Sequence, residues 1–175
     1  MPSCQVFEAK RKLQPLPLNP IFVDAPFQQW GLDFIGEVNP TFPGQHRWIL
    51  TATHYFTKWV DAVPTRQAID AIVIEFLLRN IMSRFGYPRK IVTDNAKSFT
   101  SSKLVKFCSD YNIILSHSTI YYPQGNGLAE SANKSLVRII KKLLEDNKKA
   151  WHAKLEFALW AYRVSTKNSI GTSPF

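Results

Sequence analysis

Acidic residues are scarce in this chain, 13 against 22 lysines and arginines, for a formal charge of +9 over 175 residues. That balance implies an anionic partner. Cysteine is nearly missing as well. Cys4 and Cys108 alone cannot build a disulfide framework, and nothing reads as a signal peptide, so a reducing intracellular compartment is expected. Long apolar runs are absent. Stretches such as Ala71-Ile-Val-Ile74 and Phe76-Leu-Leu78 are broken by charge well before spanning length, which excludes a membrane helix. There is no internal repeat and no long low-complexity tract. No serine–histidine or cysteine–histidine arrangement stands out, so chemistry through a protein nucleophile is not expected.

What is present suits one domain with a sizeable core: 45% hydrophobic residues, with 12 Phe, 6 Tyr and 5 Trp. Up to about residue 24 the composition differs from the rest. Lys10-Arg-Lys12 is basic, and Leu13 to Pro20 holds three prolines in eight residues. Proline at that density excludes helix and predicts an extended arm. Residues 25–175 read as the folded domain.

From Trp30 the pattern becomes strand-like. Trp30 to Val38, Arg47 to Tyr55 and Lys58 to Val63 are β-branched and aromatic runs with short connections, predicting an antiparallel meander. Ile69, Ile72, Val73, Phe76, Leu77, Asn80 and Ile81 then recur at helical spacing, stopped by Gly86 and Pro88. Lys90 to Thr93 reads as a buried strand, Ser101 to Asp110 as a helix, and Ile113 to Leu115 as a fifth strand. Two helices follow, over about Leu128–Asp146 and Lys149–Ser165. This order predicts an α/β fold: a mixed sheet with helices on both faces, its last strands parallel to a neighbour.

Three acids carry the chemistry. Asp33 lies between Leu32 and Phe34, so it faces the other side of the pleat. The plain alternative is an edge-strand aspartate in water. Asp94 ends a strand, where open α/β sheets bind ligands; otherwise it simply caps the next turn with Asn95. Glu130 follows Pro123-Gln-Gly-Asn-Gly127 and enters a helix, where a lone glutamate usually offsets the helix dipole. Meeting at one end of the sheet, the three would repel: two carboxylates 4 Å apart cost about 4 kcal/mol at an effective dielectric of 20. Such a cluster takes up protons or cations. Oxygen-only donors select Mg²⁺ or Mn²⁺ over zinc, and two such ions can clamp an in-line displacement at phosphorus.

The helix after Glu130 is expected to bury Ala132, Leu136, Ile139, Ile140 and Leu143 and to expose Asn133, Lys134, Arg138, Lys141 and Lys142. Like charges four residues apart disfavour an isolated helix, so this face is read as a DNA contact in preference to a merely solvated one. His54 and His117 read as structural, Cys108 as core, and Trp48, Trp59, Trp151 and Trp160 as packing. Tyr121 and Tyr122 are weaker candidates for base stacking.

Asp33, Asp94 and Glu130, with thirty-five residues between the last two, resemble the D,D,E signature of retroviral-type integrases. Trp30-Gly-Leu-Asp-Phe-Ile-Gly36, Asp94-Asn95 with Phe99, Tyr122 to Gly127 before Ala129-Glu130, Asn133-Lys134, Ala158 to Arg163 and Thr172 to Phe175 are most similar to the integrase region of gypsy-class LTR retrotransposon polyproteins. The resemblance implies an RNase H-like fold, a five-stranded mixed sheet in order 3-2-1-4-5. It implies Mg²⁺-dependent trimming of element DNA 3′ ends and their joining to host DNA, with Mn²⁺ as a substitute metal. Asp33, Asp94 and Glu130 would be the metal ligands. Asn133, Lys134, Arg138, Lys141, Gln124 and Asn126 would contact DNA. A homodimer or larger oligomer is expected, working in the nucleus after a cytoplasmic particle stage.

Three departures from the family pattern stand out. Ala96 replaces a usual glycine, at about 1–2 kcal/mol if that position needs a positive φ. Ser98 stands where an acidic or amide residue is common. Met1 and Cys4 fall where a zinc module would end in a Cys-x-x-Cys pair, so no zinc is expected, and the chain reads as a core fragment. The competing function is a catalytically silent DNA-binding or dimerisation module of the same descent. An RNase H-type nuclease ranks last, because its carboxylates would be spaced differently.

Overall fold

The computed structural model describes residues 26–36, 46–118, 127–144 and 151–175. The proline-rich arm, Cys4, Tyr121, Tyr122, Gln124 and Asn126 lie outside the described residues. Five strands form one sheet: β1 (Gln29–Gly36), β2 (Trp48–His54), β3 (Val60–Thr65), β4 (Lys90–Thr93) and β5 (Ile114–His117). Their order is β3-β2-β1-β4-β5, the one the resemblance implied. The meander β1–β2–β3 is antiparallel; β4 runs parallel to β1, and β5 parallel to β4. The helices are α1 (Asp70–Phe76), α2 (Ser83–Phe85), α3 (Ser102–Asp110), α4 (Gly127–Leu144) and α5 (Trp151–Val164).

The alternating pattern of β1 explains why helices cover both faces. Trp30 and Leu32, fully buried, join Leu50, Ala52 and Ile91 in a layer closed by Val73, Phe76 and Leu77 from the first helical stretch and by Leu104 and Cys108 of α3. On the other face Ile49, Val60 and Ala62 meet Leu136 and Ile140 of α4 and Trp151, Leu155 and Leu159 of α5. Each layer removes large aliphatic and aromatic side chains from water, at roughly 1.5–3 kcal/mol apiece.

Boundaries follow local chemistry. Ser101 caps α3, its hydroxyl accepting from the Leu104 N–H at 3.2 Å. Gly86 takes φ 82° past α2, where a side chain would be strained. One stretch departs from expectation. The single helix expected through Ile81 is three pieces, because Leu77–Met82 is wound as a π-helix between α1 and α2. Ile69, expected on the buried stripe, is exposed at the start of α1. Within β3, Asp61 bonds both Arg84 of α2 and Arg163 of α5, tying the strand to the two helices. Burial pushes the Asp61 carboxyl up while the two guanidiniums pull it back.

Candidate active site

Asp33 lies on β1, the central strand, between β2 and β4. The edge-strand alternative is thereby excluded. Its side chain points away from Leu32 and Phe34, toward α4. The Phe34 N–H donates to Oδ1 at 2.8 Å, and Asn133 Nδ2 donates to Oδ2 at 2.7 Å. Burial, then the charge of Asp94, raise the Asp33 pKa to about 6; the two hydrogen bonds oppose that rise and Glu130 adds to it.

Asp94 immediately follows β4, whose pairing of Gly31 with Val92 leads the two chains on toward Asp33 and Asp94. Its Oδ1 accepts the Ala96 N–H at 3.0 Å, an Asx turn. The Asp94 carbonyl is held from behind. The Thr93 hydroxyl donates to it at 2.8 Å, and His117 Nδ1 lies 2.8 Å from that hydroxyl and 3.2 Å from the carbonyl. Asn95 Nδ2 donates to the Ser118 carbonyl at 2.8 Å. The turn expected as the plain alternative therefore exists, and it fixes the acid in place. Ala96 carries no penalty: among the described non-glycine residues only Phe27, Lys58 and Asn112 have positive φ. Ser98 is buried, so it offers no surface contact.

Glu130 stands exposed in the first turn of α4. That turn reaches β1 because position 31 is glycine. A Cβ there would fall 2.7 Å from Tyr55 Cε1 and 3.2 Å from Ala129 Cβ. An isolated glycine inside a strand pattern marks such a close approach, and that signal was readable at Gly31. Burial and the Asp33 charge push the Tyr55 phenol above its ordinary value.

The three acids share one electrostatic neighbourhood, since both Asp94 and Glu130 repel charge on Asp33. Among the described residues, however, no three acidic, histidine or cysteine side chains close around a metal position. The donor chemistry fits a hard divalent cation nonetheless. The acids supply only oxygen, and a cation would offset the burial and the repulsion that together hold Asp33 up.

The DNA candidates fall into two groups. Lys134, Arg138 and Lys141 are exposed along α4. Asn133, expected on that exposed face, is buried, bonds Asp33, and leaves Oδ1 without a partner among the described residues. Leu143, expected in the core, is exposed. His54 is structural. The Phe27 N–H donates to Nε2 at 2.6 Å, and burial lowers its pKa to about 4. His117 is placed against Asp94, which strand periodicity could not reveal. Cys108 is core, its thiol pushed by burial to about 11. Trp151 packs inside, whereas Trp160 is 64% exposed, contrary to its expected packing role.

Residues 23–123 match the integrase core domain family, a span that holds Asp33 and Asp94 and ends before Glu130. The Gag-Pol polyprotein of avian reticuloendotheliosis virus is 31% identical over 151 residues, which are 86% of this chain and 13% of the polyprotein. Among solved structures, a simian T-cell lymphotropic virus intasome in complex with PP2A regulatory subunit B56 gamma superimposes with a TM-score of 0.73 at 22% identity, covering 85% of this chain and 53% of that one. The HTLV-2 integrase catalytic core domain in complex with magnesium, in a trimeric form, gives 0.68 at 21% identity, covering 85% and 94%. The fold is thus RNase H-like. With more than half of its length inside the matched span and its sheet laid over these catalytic cores, this chain belongs to the integrase core domain family.

Proposed function

We propose that this domain carries out Mg²⁺-dependent 3′-end processing and strand transfer of retroelement DNA, as a polynucleotidyl transferase of the integrase type. The observation that carries this reading is Asp33, a carboxylate on the central strand raised toward protonation by burial, Asp94 and Glu130. Asp33, Asp94 and Glu130 would hold the metal, which when bound supplies Lewis-acid activation of water and of the phosphodiester. The chain's own parts do the rest. Asn133 orients Asp33, the Asx turn and Thr93 orient Asp94, and Gly31 lets α4 bring Glu130 near. Lys134, Arg138 and Lys141 offer phosphate contacts beside the acids, with Gln124 and Asn126 as further candidates. The motif wording favours a gypsy-class element as the source, with nuclear action following a cytoplasmic particle.

A silent binding or dimerisation module is the second reading, favoured by one surface. Phe157, Trp160 and Val164 form an exposed apolar stripe along α5, an apt contact between copies. The test is a Mn²⁺-supported strand-disintegration assay on branched DNA, beside Glu130→Gln. Cleavage by the wild type and none by the variant is expected. Equal cleavage in both overturns the site, and no cleavage in either, with Mn²⁺ unbound, supports the silent module.

A further inference from the structure

The sheet end that carries Asp33 has a second feature, on the opposite face. The register runs Gly36–Trp48–Thr65 across β1, β2 and β3, so the last residue of β3 shares an end with the carboxylates. There a groove of about 970 Å³ opens between that end and the helical stretch after it. Arg47 and Arg66 line one wall; Glu75, Arg79 and Asn80 line the other. The floor includes Thr65, which is 5% exposed and whose hydroxyl has no partner among the described residues.

Charge and backbone both point to a ligand. Three guanidiniums meet one carboxylate, Glu75, which pairs with Arg79 at 3.1 Å. Two exposed members of an i,i+4 pair exchange partners cheaply. The field extends to His46 in the same wall, whose pKa is lowered by burial and by His152 and Arg66. Arg79 and Asn80 are presented by the π-helical segment Leu77–Met82, a winding found frequently at functional sites. Arginine prefers phosphate because its planar fork donates two parallel hydrogen bonds.

We propose that this groove, rimmed by Arg47, Arg66 and Arg79, binds the phosphate backbone of a DNA strand as a second contact distinct from the α4 face. This inference rests on the DNA reading above and adds where a strand leaves the carboxylates. Thr65 and Gly36 are two strand spacings apart, about 10 Å, and Asp33 lies three residues back along β1, about 10 Å more. The combined in-plane offset is about 14 Å, and since the groove and the Asp33 carboxylate lie on opposite faces, a strand reaching both spans more than the roughly four nucleotides that this distance represents at 3.4 Å each. The groove is wide, open and polar, which suits an extended polyanion better than a compact apolar ligand.

The test is fluorescence anisotropy of a labelled DNA duplex in metal-free buffer across a salt series, so that catalysis plays no part. Arg66→Gln together with Arg79→Gln should lower the log–log salt slope by about 1.8, and Arg66→Gln alone by about 0.9, the value per phosphate contact. Both positions are exposed, and unchanged thermal melting checks the fold. Lys134→Gln with Arg138→Gln serves as the comparison on α4. An unchanged slope in both groove variants, with a loss in the α4 variant, overturns the groove and leaves the DNA reading standing. No DNA binding by the wild type brings down both. Poly-glutamate bound more tightly than DNA of equal charge, or a gain in affinity on deleting residues 37–45, also overturns the proposal, in favour of an acidic protein or of the chain's own loop.

Discussion

β1 sends Trp30, Leu32 and Phe34 to one side of the sheet and Gly31, Asp33 and Ile35 to the other. On the first side every position is filled by a large apolar group packed against α1, the π-helical segment or α3. On the second, one position is left empty so that Tyr55 and Ala129 can approach, and the next holds a carboxylate. The first face is built for stability alone. The second gives up packing, and accepts electrostatic repulsion, to bring an acid, an amide and a helix start together. One strand thus alternates between holding the fold and serving the proposed chemistry.

Substitutions on the two faces should separate these roles. Leu32→Ala attacks the packed face and should cost about 2–5 kcal/mol in denaturant-unfolding experiments, with the surviving folded fraction retaining metal-supported cleavage. Gly31→Ala attacks the working face and should cost less, about 1–3 kcal/mol by overpacking. Because the added methyl pushes on Tyr55 and the first turn of α4, cleavage should fall further than stability does. If Gly31→Ala cleaves normally, the close approach at position 31 does not position Glu130.

The smallest expected effect reads the charge directly. In metal-free buffer the folded Asp33 carboxyl, raised from an ordinary 3.8 to about 6, holds its proton more tightly than in the unfolded chain. Its contribution to stability is therefore most favourable below about pH 4 and is lost as pH rises to about 6. The loss should be about 1–2 kcal/mol after allowing for partial solvent screening. Urea unfolding of wild type against Asp33→Asn at pH 4, 5, 6 and 7 measures it. The variant's curve should lack this component, and Mg²⁺ at pH 7 should restore stability to the wild type only. Parallel curves for the two proteins would mean that neither burial nor the charges of Asp94 and Glu130 shift Asp33.

Much of the fold could be read from local pattern. β4 matches its expected span of Lys90–Thr93, and α3 begins one residue after the expected Ser101, because a short apolar run and the Ser101 cap are properties of neighbouring residues. What was hidden depends on distant partners. Asn133 was read as a surface residue on helical periodicity, but its bond to Asp33 joins positions a hundred residues apart. The π-helical winding was hidden because Leu77 and Ile81 satisfy α-helical spacing as well. Trp160 is exposed because α5 buries Leu155, Ala158, Leu159 and Tyr162 instead. Of the proposed site, the three acids and their spacing are features of the sequence itself. The supports from Thr93 and His117, and the groove arginines scattered just before β2, just after β3 and in the π-helical segment, were not legible, since no run of sequence unites them.

The parallel pairing of β1 with β4 also sets an order of events during folding. The β1–β2–β3 meander closes through short connections and is the early partner available to β1. Its other edge waits until the chain has passed through α1 and α2, because Gln29 pairs with Lys90. Long-range pairings of this kind are slow, since loop-closure entropy is met before the contacts form. Asp33 and Asp94 consequently become neighbours late, after the meander has formed. During synthesis, the unpaired edge of β1 is the surface most exposed to pairing with a wrong strand, and the arrival of β4 both seals that edge and assembles the acid pair in a single step.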